Sequence, residues 1–120
     1  MSFQNLSNTQ KSNHYKKNYN NWKDNTRTTK KGFFIIYNDF LKKDMLRKIS
    51  GNALKLYIYL GLHSQNNTGE VWHTIDTIAK YFNKSPRTIS YWIHELESIG
   101  LIIRMQLKLN EESHTYLQPY

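Results

Sequence analysis

The stretch Ser85-Pro86-Arg87-Thr88-Ile89-Ser90-Tyr91-Trp92-Ile93-His94-Glu95-Leu96-Glu97-Ser98-Ile99-Gly100 concentrates side chains able to recognise a ligand. Wound at about 100° per residue, it sorts into two faces. Ile89, Trp92, Ile93, Leu96 and Ile99 fall on one side; Arg87, Ser90, Tyr91, His94 and Ser98 fall on the other. A guanidinium, hydroxyls, a phenol and an imidazole on one helix face can read a DNA groove. Arg87 suits a phosphate or a guanine edge, Ser85 and Thr88 suit phosphate oxygens, and Ser90, Tyr91 and His94 suit base edges or sugars, with Lys84 beside them as a further DNA-binding candidate. The only acid near this face is Glu95, at its margin. Any solvated helix also has a polar face, so the flanking sequence must decide between the two readings.

Other chemistry is poorly served. There is no cysteine, which removes disulfides and thiolate metal sites and fits a reducing cytoplasm. His14, His63, His73, His94 and His114 include no i, i+4 pair and no accompanying carboxylate motif, so no metal or cofactor is expected. His63 and His73 read as helix-end or core-edge residues. Ser85 and Ser90 have no His and carboxylate beside them in triad fashion, and no glycine-rich phosphate loop occurs, so catalysis is not expected. No apolar run approaches the roughly 20 residues of a membrane span, and the N-terminus lacks a signal-peptide stretch.

A second chemically marked stretch is His14-Tyr15-Lys16-Lys17-Asn18-Tyr19-Asn20-Asn21-Trp22-Lys23, where aromatics alternate with cations. Bases stack on such rings while phosphates meet ammonium groups, so Tyr15, Lys16, Lys17, Tyr19, Trp22 and Lys23 are candidates for single-stranded DNA or partner contacts. A solubilising tail with incidental aromatics gives the same pattern. Residues 1–31 hold seven basic residues against Asp24 alone, a charge of +6 out of the chain's +8. The other ten basic residues face eight acidic ones, leaving +2 for residues 32–120. The positive field belongs to the tail, and a nucleic-acid reading of the remainder rests on geometry. Rich in Asn, Ser, Thr, Gln and Lys, residues 1–31 are expected to be disordered.

Beyond Gly32, Phe33-Phe34-Ile35-Ile36-Tyr37 predicts a short strand, and Asn38 or Asp39 caps a short helix through Phe40, Leu41 and Met45. Lys42, Lys43, Arg47 and Lys48 make that segment basic, either as phosphate contacts or, more commonly for such a run, as a solvated face. Ser50-Gly51-Asn52 opens a helix from Ala53 to about Ser64 that is apolar nearly all round and therefore central. A turn at 65–69 leads to a strand segment at Val71-Trp72, with Trp72 as a core anchor. Thr74 caps a helix whose Ile75, Ile78, Ala79 and Phe82 recur at i, i+3, i+4, i+7. Asn83 supplies a left-handed exit, and Ser85-Pro86 restarts a helix, making a helix-turn-helix. After Gly100 the period becomes 2. Leu101, Ile103, Met105, Leu107 and Leu109 alternate with Ile102, Arg104, Gln106 and Lys108 as a half-buried strand. A loop at 110–113 and a return strand at 114–118 complete a hairpin.

At this level of detail Thr74-Ile75-Asp76-Thr77-Ile78-Ala79-Lys80-Tyr81-Phe82, followed by Ser85, Arg87-Thr88-Ile89 and Leu96-Glu97-Ser98-Ile99-Gly100-Leu101-Ile102, resembles the winged helix-turn-helix signature of bacterial regulators and plasmid replication initiators. Phe33 to Leu62 is similar to the lead-in of the replication-initiator branch, and the resemblance covers about residues 33–118. It implies a mainly α fold with a small β-hairpin over residues 32–120, and it places Ser85, Arg87, Thr88, Ser90 and Tyr91 at positions that face DNA. Two positions depart from the pattern. Tyr91 stands where a cation is common, and Glu111 and Glu112 occupy a hairpin tip that is more often basic, which argues against insertion of the tip into a minor groove.

The resemblance implies a non-enzymatic DNA-binding protein acting in replication, or its control, on a bacterial plasmid or mobile element. An accessory subunit is the alternative, its tail on single-stranded DNA and its domain docked on a polymerase, primase or helicase. A transcriptional regulator is the third reading, and a front end of a longer initiator also fits. Monomer is the default oligomeric state.

Overall fold

In the computed structural model, which describes residues 2–120, helices start where hydroxyl caps predict them. The Oγ of Ser50, the Oγ1 of Thr74 and the Oγ of Ser85 each accept from the backbone N–H three residues on, all at 3.1 Å. The chain divides into two units, one ending at Phe33 and the other running from Phe34 to Tyr120.

The first unit corrects the expectation of a disordered tail; Met1 lies outside the described residues. A short 3₁₀ turn, Phe3–Asn5, precedes a helix of 21 residues, α1, Asn8–Thr28. Two local signals support it. Ser7 and Gln10 form a reciprocal capping box, and neither Gly nor Pro interrupts residues 1–31. No residue of α1 is buried.

The second unit contains α2 (Asp39–Lys42), α3 (Met45–Lys48), α4 (Gly51–His63), β1 (Glu70–Val71), α5 (Ile75–Phe82), α6 (Pro86–Ser98), β2 (Ile102–Gln106) and β3 (Ser113–Leu117). The strands form one antiparallel sheet in the order β1-β3-β2, with Ile103 opposite Tyr116 and Val71 opposite Thr115. Helix α4 contributes more to the core than any other element. Ala53, Leu56, Tyr57, Tyr59 and Leu60 are buried and meet Ile78 and Ala79 of α5 and Ile89, Trp92, Ile93 and Leu96 of α6.

Three expectations about this unit fail for physical reasons. Residues 33–37 form no strand, because they pair with no strand of the sheet and Phe34 packs on α4 instead. The Phe34 ring meets the Tyr57 ring edge-on at 5.6 Å and lies against Gly61, where a Cβ would run into it. The helix expected from Asn38 or Asp39 to Met45 is two single turns, broken at Asp44 with φ 61° and lacking a side-chain cap on either. Trp72 is not a core anchor but 61% exposed, its ring 5.3 Å from that of His114.

The wing keeps the expected hairpin with the opposite phase. Ile103, Met105, Leu107 and Leu109 are exposed, whereas Leu101 and Ile102 are buried. Arg104 takes the inner face, where its guanidinium donates to the hydroxyl of the fully buried Thr115 at 2.8 Å. With two consecutive apolar residues buried at the strand entrance, the register places the rest of the apolar row outside.

The edge between α4 and β1 carries an acid-sensitive contact. The Tyr59 hydroxyl and His73 Nδ1 share a hydrogen bond of 2.6 Å, and the His63 ring lies 4.4 Å from that of His73. Burial, and after it the neighbouring His63, hold the His73 pKa below the ordinary histidine value. The folded ring therefore resists a proton that the unfolded chain accepts near pH 6.5. Stability should be full above that pH and fall as pH drops through it, until the folded ring is itself protonated. Urea midpoints at pH 7.5 and 5.5 should differ in this sense, and the difference should shrink in His73→Gln.

Candidate nucleic-acid interface

Helix α5 ends in a left-handed residue, Asn83, with φ 54° and ψ 49°. The Lys84 N–H closes on the Ala79 carbonyl at 3.0 Å, the six-to-one bond of a Schellman turn. Ser85 then caps α6 and Pro86 occupies its first turn. Three residues thus reverse the chain between two amphipathic helices and fix which flank of α6 faces outward.

Ile89, Trp92, Ile93 and Leu96 are buried, with Ile99 half-buried. Lys84, Ser85, Arg87, Ser90, Tyr91 and His94 are exposed, and Thr88 is half-buried. Arg87, Ser90, Tyr91 and His94 share the outer flank of α6, and Lys84, Ser85 and Thr88 stand at its N-terminal end. Arg87 Nε donates to the Tyr91 hydroxyl at 3.1 Å, and the guanidinium stands 5.8 Å from the centre of the Tyr91 ring. Among the described residues, the two terminal amino groups of Arg87 have no hydrogen-bond partner. The Ser85 and Thr88 hydroxyls are 2.9 Å apart, so the N-terminal rim of α6 is a pair of coupled hydroxyls. Ser98 is engaged locally, donating to the His94 carbonyl at 2.8 Å.

Glu95, the acid at the margin, is turned away from this surface. Its carboxylate accepts from the Ser50 N–H at 2.7 Å and the Ser50 hydroxyl at 2.9 Å. One side chain thus ties the middle of α6 to the start of α4. Sequence reasoning does not find this contact, since 45 residues separate the partners and no local pattern links them. It also does not find the inward Arg104. Burial lowers the Arg104 pKa, opposed by the nearby Glu97.

The wing tip, residues 107–112, is exposed and carries Lys108, Glu111 and Glu112; Gln106 donates to the Glu111 carbonyl at 2.8 Å and holds the loop closed. In the first unit, Tyr15, Lys16, Lys17, Tyr19, Trp22 and Lys23 are all exposed on α1. Tyr19 and Trp22 have ring centroids 5.7 Å apart, and Phe3 packs against His14 and Tyr15 at 5.1 and 5.6 Å. Lys17 falls on the opposite side of the helix from Tyr15, at about 200°. Among the described residues no group of three or more His, Asp or Glu side chains could hold a metal, and no helix is long and apolar enough to cross a membrane.

Residues 46–102, from within α3 to the first residue of β2, match a family model described as a helix-turn-helix domain. Similar solved structures include a chain from the structure of a Rep–DNA complex, 16% identical with a TM-score of 0.54, covering 78% of this chain and 80% of that one. Another is the N-terminal domain of a DNA binding protein, 17% identical with a TM-score of 0.54, covering 78% of this chain and 79% of that one. The fold is a winged helix-turn-helix. Its α5–α6 pair is the helix-turn-helix and its β2–β3 hairpin the wing. No curated protein sequence matches the chain.

Proposed function

We propose that this winged helix binds duplex DNA by laying the outer flank of α6 in the major groove, in the service of replication or its control on a plasmid or mobile element. The observation that carries the reading is the α6 surface itself. Arg87, Ser90, Tyr91 and His94 stand exposed along one flank, and the acid at its edge is held by Ser50. The helix-turn-helix match supports DNA as the ligand, and the likeness to a chain of a Rep–DNA complex supports the replication role.

In this geometry the paired hydroxyls of Ser85 and Thr88, with Lys84, meet phosphates at the groove edge, while Arg87 and the residues one and two turns on reach base edges. The wing contributes no cationic insertion, since its tip carries Glu111 and Glu112. A duplex selected by the full chain from a random library tests the groove directly. Replacing its purines by 7-deazapurines removes the N7 major-groove acceptors and should strongly weaken selective binding. A minor-groove ligand should leave binding nearly unchanged. The reverse pair of results would place recognition elsewhere than on α6.

A further inference from the structure

Helix α1 has a pattern that the duplex reading does not use. At about 100° per residue, Tyr15, Tyr19 and Trp22 fall within about 60° of arc, and Lys16, Lys23 and Arg27 follow one flank of that row at about 80–120° from Tyr15. Asp24, the only acid of the unit, lies opposite, at about 180°. At its C-terminal end the row opens into a cavity of about 550 Å³, lined among others by Trp22, Lys23, Arg27, Lys30 and Phe33. Left-handed residues at Lys30 (φ 54°) and Gly32 (φ 80°) turn the chain so that Phe33 lines the same space as Trp22. Hydroxyl bonds from Thr26 to the Trp22 carbonyl and from Thr29 to the Asn25 carbonyl, both 2.8 Å, secure the helix end behind it. Trp22 is 62% and Phe33 68% exposed.

We propose that residues 15–33 form a binding site for single-stranded nucleic acid, with one unstacked base in the Trp22–Phe33 cavity and the backbone running along the Lys16–Lys23–Arg27 flank. Flat π-faces beside cations, with no acid among them, match the two chemical parts of a nucleotide strand. A duplex offers its phosphates but keeps its bases stacked, which leaves the rings without a partner. A lipid surface is a poor match, because α1 contains no Leu, Ile, Val, Met or Phe to insert. An isolated helix that buries nothing is marginal on its own, and a strand laid along it supplies the missing contacts.

The test uses the full chain and fluorescein-labelled (dT)12, followed by anisotropy and by quenching of tryptophan emission. Binding should be tighter than to a 12-bp duplex of random sequence, and free dTTP should compete only weakly. The double substitution Tyr19→Ala/Trp22→Ala leaves the charge unchanged and should weaken (dT)12 binding at least tenfold, while Tyr19→Phe/Trp22→Phe should retain it. Lys23→Gln/Arg27→Gln should flatten the salt dependence by about 1.4 in log–log slope, at roughly 0.7 per cation on single strands. Arg87→Ala should leave (dT)12 binding unchanged, which separates this site from the α6 surface. Equal binding by the ring-less variant would reduce the site to charge alone and overturn the proposal. So would loss of strand binding in Arg87→Ala, or dTTP binding as tight as the oligonucleotide.

Discussion

Arg87→Ala is expected to weaken binding of the selected duplex by about 5- to 150-fold, the equivalent of about 1–3 kcal/mol for a side chain that contacts a base edge. The size follows from how the side chain is held. Its Nε–H is committed to the Tyr91 hydroxyl at 3.1 Å, and the Tyr91 ring lies beside the guanidinium. The guanidinium is thus already held by Tyr91, so little rotamer freedom should be lost on contact. Tyr91→Phe should cost less, because the ring remains and only the hydrogen bond goes. The double variant should then be less damaging than the two single losses added together, which a double-mutant cycle reads as coupling. Anisotropy titrations at fixed salt give all three values. Unchanged affinity in both single variants would remove α6 as the reading element.

Leu96→Ala should destabilise the second unit by about 2–5 kcal/mol, the usual cost of truncating a fully buried leucine. Leu96 is completely buried in the core shared by α4, α5 and α6. Its carbonyl also accepts from the Leu101 N–H at 3.0 Å, at the point where α6 passes into the wing. Set against total stabilities of about 5–15 kcal/mol for domains, this is a large fraction. Urea titration should show a lower midpoint with little change in slope, whereas Ser90→Ala, on the outer flank of the same helix, should stay within about 0.5 kcal/mol of the parent. Equal midpoints for Leu96→Ala and the parent would mean that the two flanks of α6 have been exchanged.

Both expectations rest on features that a local reading of the sequence supplies. The caps at Thr74 and Ser85, the proline after Ser85, the left-handed Asn83 and Gly100, and the 3.6-residue recurrence of apolar side chains are all decided within a few residues. They place the helix-turn-helix and sort the flanks of α6 correctly. The α1 helix was legible in part, since Ser7 and Gln10 are a capping-box pair, but its Asn- and Thr-rich composition argues the other way.

The remainder depends on contacts distant in sequence. Phe33 to Tyr37 has the composition of a strand but pairs with none, and the Phe34 ring packs instead on α4, where Gly61 leaves room for it. In the wing, alternation identifies a strand without saying which row faces in, because Ile102 and Ile103 are equally apolar. Burial of Leu101 and Ile102 decides, and Arg104 follows inward to Thr115. The Glu95–Ser50 clasp is invisible to any window, yet it engages the Glu95 carboxylate with the start of α4.

The division of the chain into two units gives its charge a kinetic meaning. The stretch 1–31 holds +6 and the remainder only +2. Long-range attraction of a polyanion, which salt screens over roughly 8–10 Å, is exerted mainly by that first stretch. On the proposed reading, fit at close range, and with it dwell time on a particular site, falls to the outer flank of α6. On that reading, capture and discrimination are assigned to different parts of one short polypeptide, so each can be altered without the other.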